Sequence, residues 1–210
     1  MIHPHTKLQY INETVGYGVF ATQLIPKGTM VFVQDKLDIE VLPTEFEKHT
    51  KEMQVHIEKY SYIDKRGIRI LSWDFAKYVN HCCNGNTMCT AYGFDIALRD
   101  IQKGEEITCE YGLLNVSETM NLVCDKPGCR GMLKPTDLAT YYQTWDEQLK
   151  EVLPFVKKVE QPLKPLVAAS NLAALQAFFF VPEKYQSVLK LKLQKNSFVM
   201  PSIYGEFSNN

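Results

Sequence analysis

Asp100-Ile-Gln-Lys-Gly104-Glu105-Glu106-Ile-Thr-Cys-Glu110-Tyr111-Gly112 is a turn that leads into a strand ending with a tyrosine against a glycine. The Lys-Gly pair makes the turn, because glycine accepts positive φ without a side-chain clash. An earlier stretch echoes it. Ala21-Thr-Gln-Leu-Ile25-Pro-Lys27-Gly28 matches Ala97-Leu-Arg-Asp-Ile101-Gln-Lys103-Gly104 at the alanine, isoleucine, lysine and glycine, and an apolar-alternating run follows each copy. Repeated strand–turn–strand units imply a mostly β fold of several small sheets with some helix, not one large parallel sheet. The plain alternative for the echo is that unrelated hairpins reuse Lys-Gly turns.

Outward from these units the chain divides into zones. Residues 1 to about 35 alternate short β-rich runs with turn signals, as in Tyr17-Gly-Val-Phe-Ala and Thr29-Met-Val-Phe-Val33. Pro43 to Tyr62 is charged, with Phe46, Met53, Val55, Ile57 and Tyr60 interspersed, and reads as a helical insertion. From 68 to 113 short strands return. Beyond Pro135, Leu138, Tyr141, Tyr142, Trp145, Leu149, Val152, Leu153 and Val156 recur at helical spacing, and Pro154 is expected to bend or end that helix. Asn171–Phe180 and Pro182–Lys195 read as two further helices, with Lys184, Lys190, Lys192 and Lys195 on a solvated face. The expected division is 1–115, 116–134 and 135–210.

Composition narrows the function. The 210 residues carry a net charge of −1, which argues against a free-standing nucleic-acid binder. The N-terminal residues hold no apolar signal segment, and the greasiest run, Leu172–Val181, is about half a membrane span. No membrane partner is expected, and the setting is intracellular, cytoplasmic or nuclear. Six cysteines then read as reduced thiols or metal ligands, not as a disulfide framework.

Two more segments carry chemistry. Gly16-Tyr17-Gly18 lets backbone approach a ligand, although such a tripeptide alone is usually a turn. Tyr78-Val-Asn80-His81-Cys82-Cys83-Asn84-Gly85-Asn86 packs many hydrogen-bonding and metal-capable side chains into a run unsuited to a core strand. Each residue has a bland reading: His81 as a satisfied structural histidine, Tyr78 as a core ring, Tyr111 as a strand-end tyrosine bonded to backbone.

In this order, over about residues 8–133, the three segments resemble the SET-domain protein-lysine methyltransferases. That family has Gly-x-Gly near its start, then Asn-His-Ser-Cys-x-Pro-Asn, then Gly-Glu-Glu-Leu-Thr-x-Asp-Tyr-Gly. The resemblance implies a pseudoknotted fold, in which the chain after Tyr111 threads the loop bearing Asn80 and His81, followed by the C-terminal helical segment. It implies S-adenosyl-L-methionine as cofactor, its methionine end held by the backbone of Gly16, Tyr17 and Gly18. Asn80 and His81 would bond its amino group and adenine beside the ring of Tyr78, and Tyr111 would be the catalytic tyrosine where cofactor and substrate meet. The implied substrate is a lysine of a protein, a histone by family default. Where relatives often have tyrosine shortly after Asn-His this chain has Cys89, and the often aromatic position two before Tyr111 is Cys109. Smaller residues there enlarge the acceptor pocket and favour higher methylation states or another nucleophile.

Cys124-Asp-Lys-Pro-Gly-Cys129-Arg-Gly131 resembles the post-SET tail, whose three cysteines bind zinc together with the cysteine of the Asn-His segment. The matching positions are Cys83, Cys124 and Cys129, with Leu122 in the fourth place and Gly85 where the family has proline. A closed zinc site needs four ligands, so zinc requires Cys82 or a distant histidine; the alternative is cysteines buried as small hydrophobes. The helices after the tail would pack on the domain, form a homodimer or recognise substrate. A methyltransferase of small molecules and an inactive SET module used for binding are the competing readings.

Overall fold

A computed structural model describes residues 1–122, 126 and 128–194. The hairpin of β1 (Thr6–Asn12) and β2 (Gly16–Ala21) turns through Gly16 at φ 79°. After β3 (Met30–Val33) and β4 (Ile39–Val41) come α1 (Pro43–Phe46) and α2 (Lys51–Tyr60), the latter capped by Thr50, whose hydroxyl accepts from the Met53 N–H at 3.4 Å. The helical insertion expected over 43–62 is thus two helices, and its last residues turn into β5 (Ser61–Ile63). Pairing there decides over propensity, since β5 and β4 flank β6 (Arg69–Leu71) in a three-stranded antiparallel sheet.

Next follow β7 (Asn80–His81), β8 (Thr87–Cys89), β9 (Phe94–Ala97) and β10 (Glu106–Cys109). The main sheet runs β1-β2-β10-β8-β9-β3, with β7 also beside β10. Strand β10 is antiparallel to β2 and parallel to β7 and β8. The most motif-rich strand therefore touches both other motif segments. A small ribbon of β11 (Met120–Asn121) and β12 (Met132–Leu133) precedes α3 (Asp137–Val152) and α4 (Ala169–Phe180).

The sequence echo has a structural meaning. Ile25 and Ile101 exchange both backbone hydrogen bonds at 2.9 Å. Around this pair, the Gly104 N–H donates to the Ala21 carbonyl at 2.8 Å and the Gly28 N–H donates to the Ala97 carbonyl at 2.9 Å. Equivalent positions of the two copies make equivalent bonds, a local two-fold pairing of the turns. Both turn glycines have positive φ, 89° at Gly28 and 83° at Gly104. Ala21, Ile25, Ala97 and Ile101 form a buried cluster with Val19, Val31 and Ile107. Burying each such aliphatic side chain stabilises the fold by roughly 1.5–3 kcal/mol, so the repeat reads as a core-building device.

The C-terminal helices share a core with the sheet. Leu138, Trp145, Leu149, Val152, Leu175 and Phe178 pack with Met30, Val33, Met88, Phe94 and Ile96. Pro154 does not break the chain away but converts it into a 3-10 turn, Leu153–Lys157. Gln161 then covers the open edge of β3, its Oε1 accepting from the Met30 N–H and its amide donating to the Gly28 carbonyl, each at 2.8 Å. The helix expected over Pro182–Lys195 is not formed. Two separate 3-10 turns, Pro182–Lys184 and Val188–Leu191, stand in its place within the described residues. The intervening N–H groups are taken by tertiary acceptors, Gln186 by the Tyr92 hydroxyl and Val188 by Asp146, each at 2.9 Å, so no helical ladder continues. Lys184, Lys190 and Lys192 are exposed as expected; Lys195 lies outside the described residues.

Candidate functional site

Gly18 sits on β2 where strands crowd. A Cβ there would lie 2.7 Å from Glu106 Oε1, 2.7 Å from Ile11 Cδ1 and 3.1 Å from Asn80 Nδ2. Only glycine fits without displacing a neighbour. The Asn80 amide donates to the Tyr17 carbonyl at 3.1 Å and to Glu106 at 2.8 Å. The glycine segment and the Asn-His segment, some sixty residues apart, are thereby locked together. Tyr17 and Tyr78 also meet, ring centroids 6.0 Å apart, in an edge-on row that continues to Tyr10 beyond Tyr17 and to Tyr60 beyond Tyr78. The ring of Tyr17 is exposed. This aromatic row is a wall suited to an organic cation, which is drawn to the negative face of a ring.

Tyr111 follows β10 at the start of a 3-10 turn capped by Glu110, whose carboxylate accepts from the Gly112 N–H at 2.7 Å. Its own N–H donates to His81 Nδ1 at 3.1 Å, and its hydroxyl donates to the Val79 carbonyl at 2.5 Å. Burial pushes the Tyr111 hydroxyl well above its ordinary pKa, with Cys109, Glu106 and Cys89 adding to the rise. It is therefore neutral at physiological pH. His81, taken as acceptor at Nδ1, carries its proton on Nε2, which faces Cys83 Sγ at 3.2 Å. Burial lowers the His81 pKa, which keeps the ring neutral.

Close enough to Tyr111 to raise its pKa, Cys89 and Cys109 form a cluster with Asp95. The two sulfurs are 3.7 Å apart, and the Cys109 thiol donates to Asp95 Oδ2 at 3.8 Å. Desolvation raises the Asp95 carboxyl to about 6, with the thiol donors pulling the other way. Tyr62, whose hydroxyl donates to Gln34 at 3.4 Å, is pushed up by burial and then by the charges of Asp95 and Cys89. Tyr92, the nearest tyrosine in sequence to Cys89, is elsewhere, buried against Phe94 and Tyr185.

The tail folds back on this assembly. Arg130 makes a two-pronged ion pair with buried Glu110, both contacts 2.7 Å, and lies 3.6 Å from Asp137. Its guanidinium also stacks 5.1 Å from the ring of Tyr141. Of the expected zinc ligands, Cys83 accepts from the Arg130 N–H at 3.4 Å and Cys129 from the Gly131 N–H at 3.3 Å. Cys124 lies outside the described residues. His81 Nε2 lies 3.2 Å from Cys83 Sγ. Cys82 is buried immediately after β7.

The sequence over residues 16–112 matches the family model of the SET domain, starting at the first motif glycine and ending at the glycine after Tyr111. The chain carries a SET domain. Its SET fold is mostly β with some helix, with C-terminal helices added. Among curated proteins it is 28% identical over 137 residues to a variant-silencing SET domain-containing protein of Plasmodium falciparum, covering 56% of this chain and 5% of that protein. It is 37% identical over 70 residues to a histone-lysine N-methyltransferase specific for H3 lysine 4 of Debaryomyces hansenii, covering 28% of this chain and 6% of that one. An H3 lysine-36-specific histone-lysine N-methyltransferase of the same yeast is 26% identical over 144 residues, 59% of this chain and 19% of the relative. The chain thus spans a small part of the length of these relatives.

Within the SET domain, the structure gathers Tyr17, Gly18, Tyr78, Asn80, His81 and Tyr111 on one side of β10, while Gly16 serves the hairpin turn. Sequence reasoning missed Tyr10, Tyr60, Glu106, Asp95 and Tyr62. Asp95 lies in Phe94-Asp-Ile-Ala, an ordinary alternating strand, and only the register Cys89↔Asp95 brings it to the site. Glu106 stood inside the quoted motif, and its distance from Asn80 in sequence hid the contact.

Proposed function

We propose that this chain transfers a methyl group from S-adenosyl-L-methionine to the side-chain nitrogen of a lysine in a protein, with a histone tail as the first candidate. The observation that carries the reading is the neutral Tyr111 hydroxyl, held on the Val79 carbonyl immediately before Asn80 and His81. The described residues suit the cofactor. Gly18 lets Glu106 and Asn80 approach the backbone of β2 closely, and the Tyr10–Tyr17–Tyr78–Tyr60 row gives a sulfonium an aromatic wall. Asn80 and the backbone of His81 would hold the polar ends. When bound, S-adenosyl-L-methionine supplies the methyl group and keeps the electron pair of the broken carbon–sulfur bond.

The chain's residues then have three tasks. They align the amine for in-line attack, exclude water, and favour the neutral amine over an ammonium whose ordinary pKa is about 10.4. Burial beside a positive centre lowers that pKa. The Tyr111 oxygen lone pair orients the amine; with its own pKa raised, the hydroxyl is an aligner and not a base. The Val79 carbonyl offers weak C–H···O contacts to the methyl. Arg130 and Glu110 tie the tail to the domain. Reduced thiols suit an intracellular setting, and no helix among the described residues is long and apolar enough to cross a membrane.

The test is transfer of radiolabelled methyl from S-adenosyl-L-methionine to histones and to total lysate protein, with Tyr111→Phe alongside. We expect label on lysine, reduced about 10²–10³-fold in the variant, the size of effect seen when one transition-state hydrogen bond is removed. Label insensitive to Tyr111→Phe, or cofactor binding with no protein acceptor, would refute this reading.

A further inference from the structure

Strands β10, β8 and β9 lie side by side, and their registers put three metal-capable side chains on one face. Cys89 is directly opposite Asp95 across the antiparallel β8–β9 pair. Cys109 is opposite Thr87 on the β10–β8 pair, and Thr87 shares the face of Cys89 by the two-residue strand repeat. The ligand atoms of Cys89, Asp95 and Cys109 all fall within 4.8 Å of one another. We propose that these three residues bind a thiophilic divalent cation of the zinc type, as one triangular face of a tetrahedral site.

The distances support that geometry. Tetrahedral zinc with Zn–S of about 2.3 Å and Zn–O of about 2.0 Å requires S···S edges of about 3.8 Å and S···O edges of about 3.5 Å. The observed edges are 3.7 Å between the sulfurs and 3.8 Å from Cys109 to Asp95. The third edge, Cys89 to Asp95, lies within 4.8 Å, so a small closure of Asp95 toward Cys89 suits the cation, whereas a disulfide, with S–S of about 2.05 Å, would pull the two strands' side chains much closer. Two thiol donors and one carboxylate select a borderline-soft ion over magnesium or calcium, which prefer all-oxygen sets. Access is also present, since Cys89 and Asp95 are only partly buried while Cys109 closes the floor. Among the described residues no lysine or arginine is bonded to Asp95; its hydrogen-bond partners are the two thiols, and the N-terminal ammonium acts on it only through space. Binding exchanges the two thiol protons for the cation, with the fourth position left to water or an exogenous ligand.

The cluster adjoins Tyr111 on the acceptor side. If the lysine reading holds, a bound cation occupies the space the amine needs, so metal would act as an inhibitor. That consequence rests on the proposed function; the binding itself does not.

The experiment is titration of the reduced full chain with Cd²⁺, read by the thiolate-to-metal charge-transfer absorbance. We expect one equivalent whose absorbance is lost in the double variant Cys89→Ser/Cys109→Ser and kept in Cys124→Ser/Cys129→Ser. Asp95→Asn, which preserves shape and both thiols, should weaken binding at least tenfold while keeping a native circular-dichroism spectrum. Tyr111→Phe should bind Cd²⁺ as the parent does even where methyl transfer is lost, which separates failure of this site from failure of the enzyme reading. Absorbance that survives the Cys89/Cys109 change, that vanishes only with the tail pair, or that never appears would overturn the site.

Discussion

Near Tyr111, Gly18, Asn80 and Glu106 meet through close contacts that an added Cβ would have to displace; close by, Cys89, Asp95 and Cys109 form a cluster of two thiols and a partly buried carboxylate. The first face is fixed three ways, by strand pairing, by the Asn80 amide and by the tail's Arg130 reaching Glu110 beneath Tyr111. The second rests on strand register alone and makes few polar contacts. On the proposed function, the first face holds the cofactor and the second receives the acceptor.

The largest expected effect tests whether the first face is anchored as described. Arg130→Ala leaves Glu110 buried without its cation, and loss of one partner from a buried pair costs about 3–5 kcal/mol. Urea unfolding of the variant should show a loss of that order together with weaker cofactor binding. A loss below about 1 kcal/mol, the value of a surface pair, would mean that the tail is an ornament on the site and that the two faces are equally loosely held.

Next, Gly18→Ala should weaken S-adenosyl-L-methionine binding about thirtyfold, equivalent to about 2 kcal/mol, because the new methyl group meets Glu106 and Ile11 at 2.7 Å. Calorimetry of cofactor binding reads it directly. Unchanged affinity would show that Glu106 and Ile11 move aside and that the first face is no more rigid than the second.

Much of the first face was legible in sequence, because the residues that meet there sit in short local runs. Gly16-Tyr-Gly18, Asn80-His81 and the strand ending in Tyr111 each announce themselves by residue type. The echoed Lys-Gly turns were legible too, though their pairing through Ile25 and Ile101 was not, since sequence similarity does not state which surfaces meet. The second face is written in register. Asp95 reads as the polar residue of a half-buried strand, and nothing local marks it as the neighbour of two cysteines. Tyr62 was assigned to a helix and is a strand residue, because pairing with Ile70 outweighs the helical pattern before it. The misjudged helix after Pro182 has the same origin, its N–H groups claimed by Tyr92 and Asp146 far away in sequence.

A smaller effect is expected from filling the second face. Cys89→Tyr places a ring in the cluster near Tyr111 and should narrow the space there. On the lysine reading, mass spectrometry of the products should show dimethyl and trimethyl forms falling about tenfold relative to monomethyl, about 1.4 kcal/mol of discrimination. An unchanged product ratio would place the acceptor channel elsewhere.

The smallest effect concerns the carboxylate itself, in protein stripped of metal by a chelator. Burial raises the Asp95 pKa from 3.8 to about 6, so the folded state prefers the neutral acid. The stability contributed by that preference is fully present below the unfolded pKa and is lost as pH rises through about 6. Asp95→Asn, which cannot ionise, should therefore match the parent near pH 4 and exceed it at neutral pH. The full shift would be worth about 3 kcal/mol at 1.36 kcal/mol per unit; Asp95 is partly buried, and about 1 kcal/mol is the expected gain after screening. Thermal unfolding of both proteins across that range reads the difference. A variant less stable than the parent at pH 7 would mean that the ionised carboxylate is held by a cation or donor within the fold, and the second face would then be as firmly built as the first.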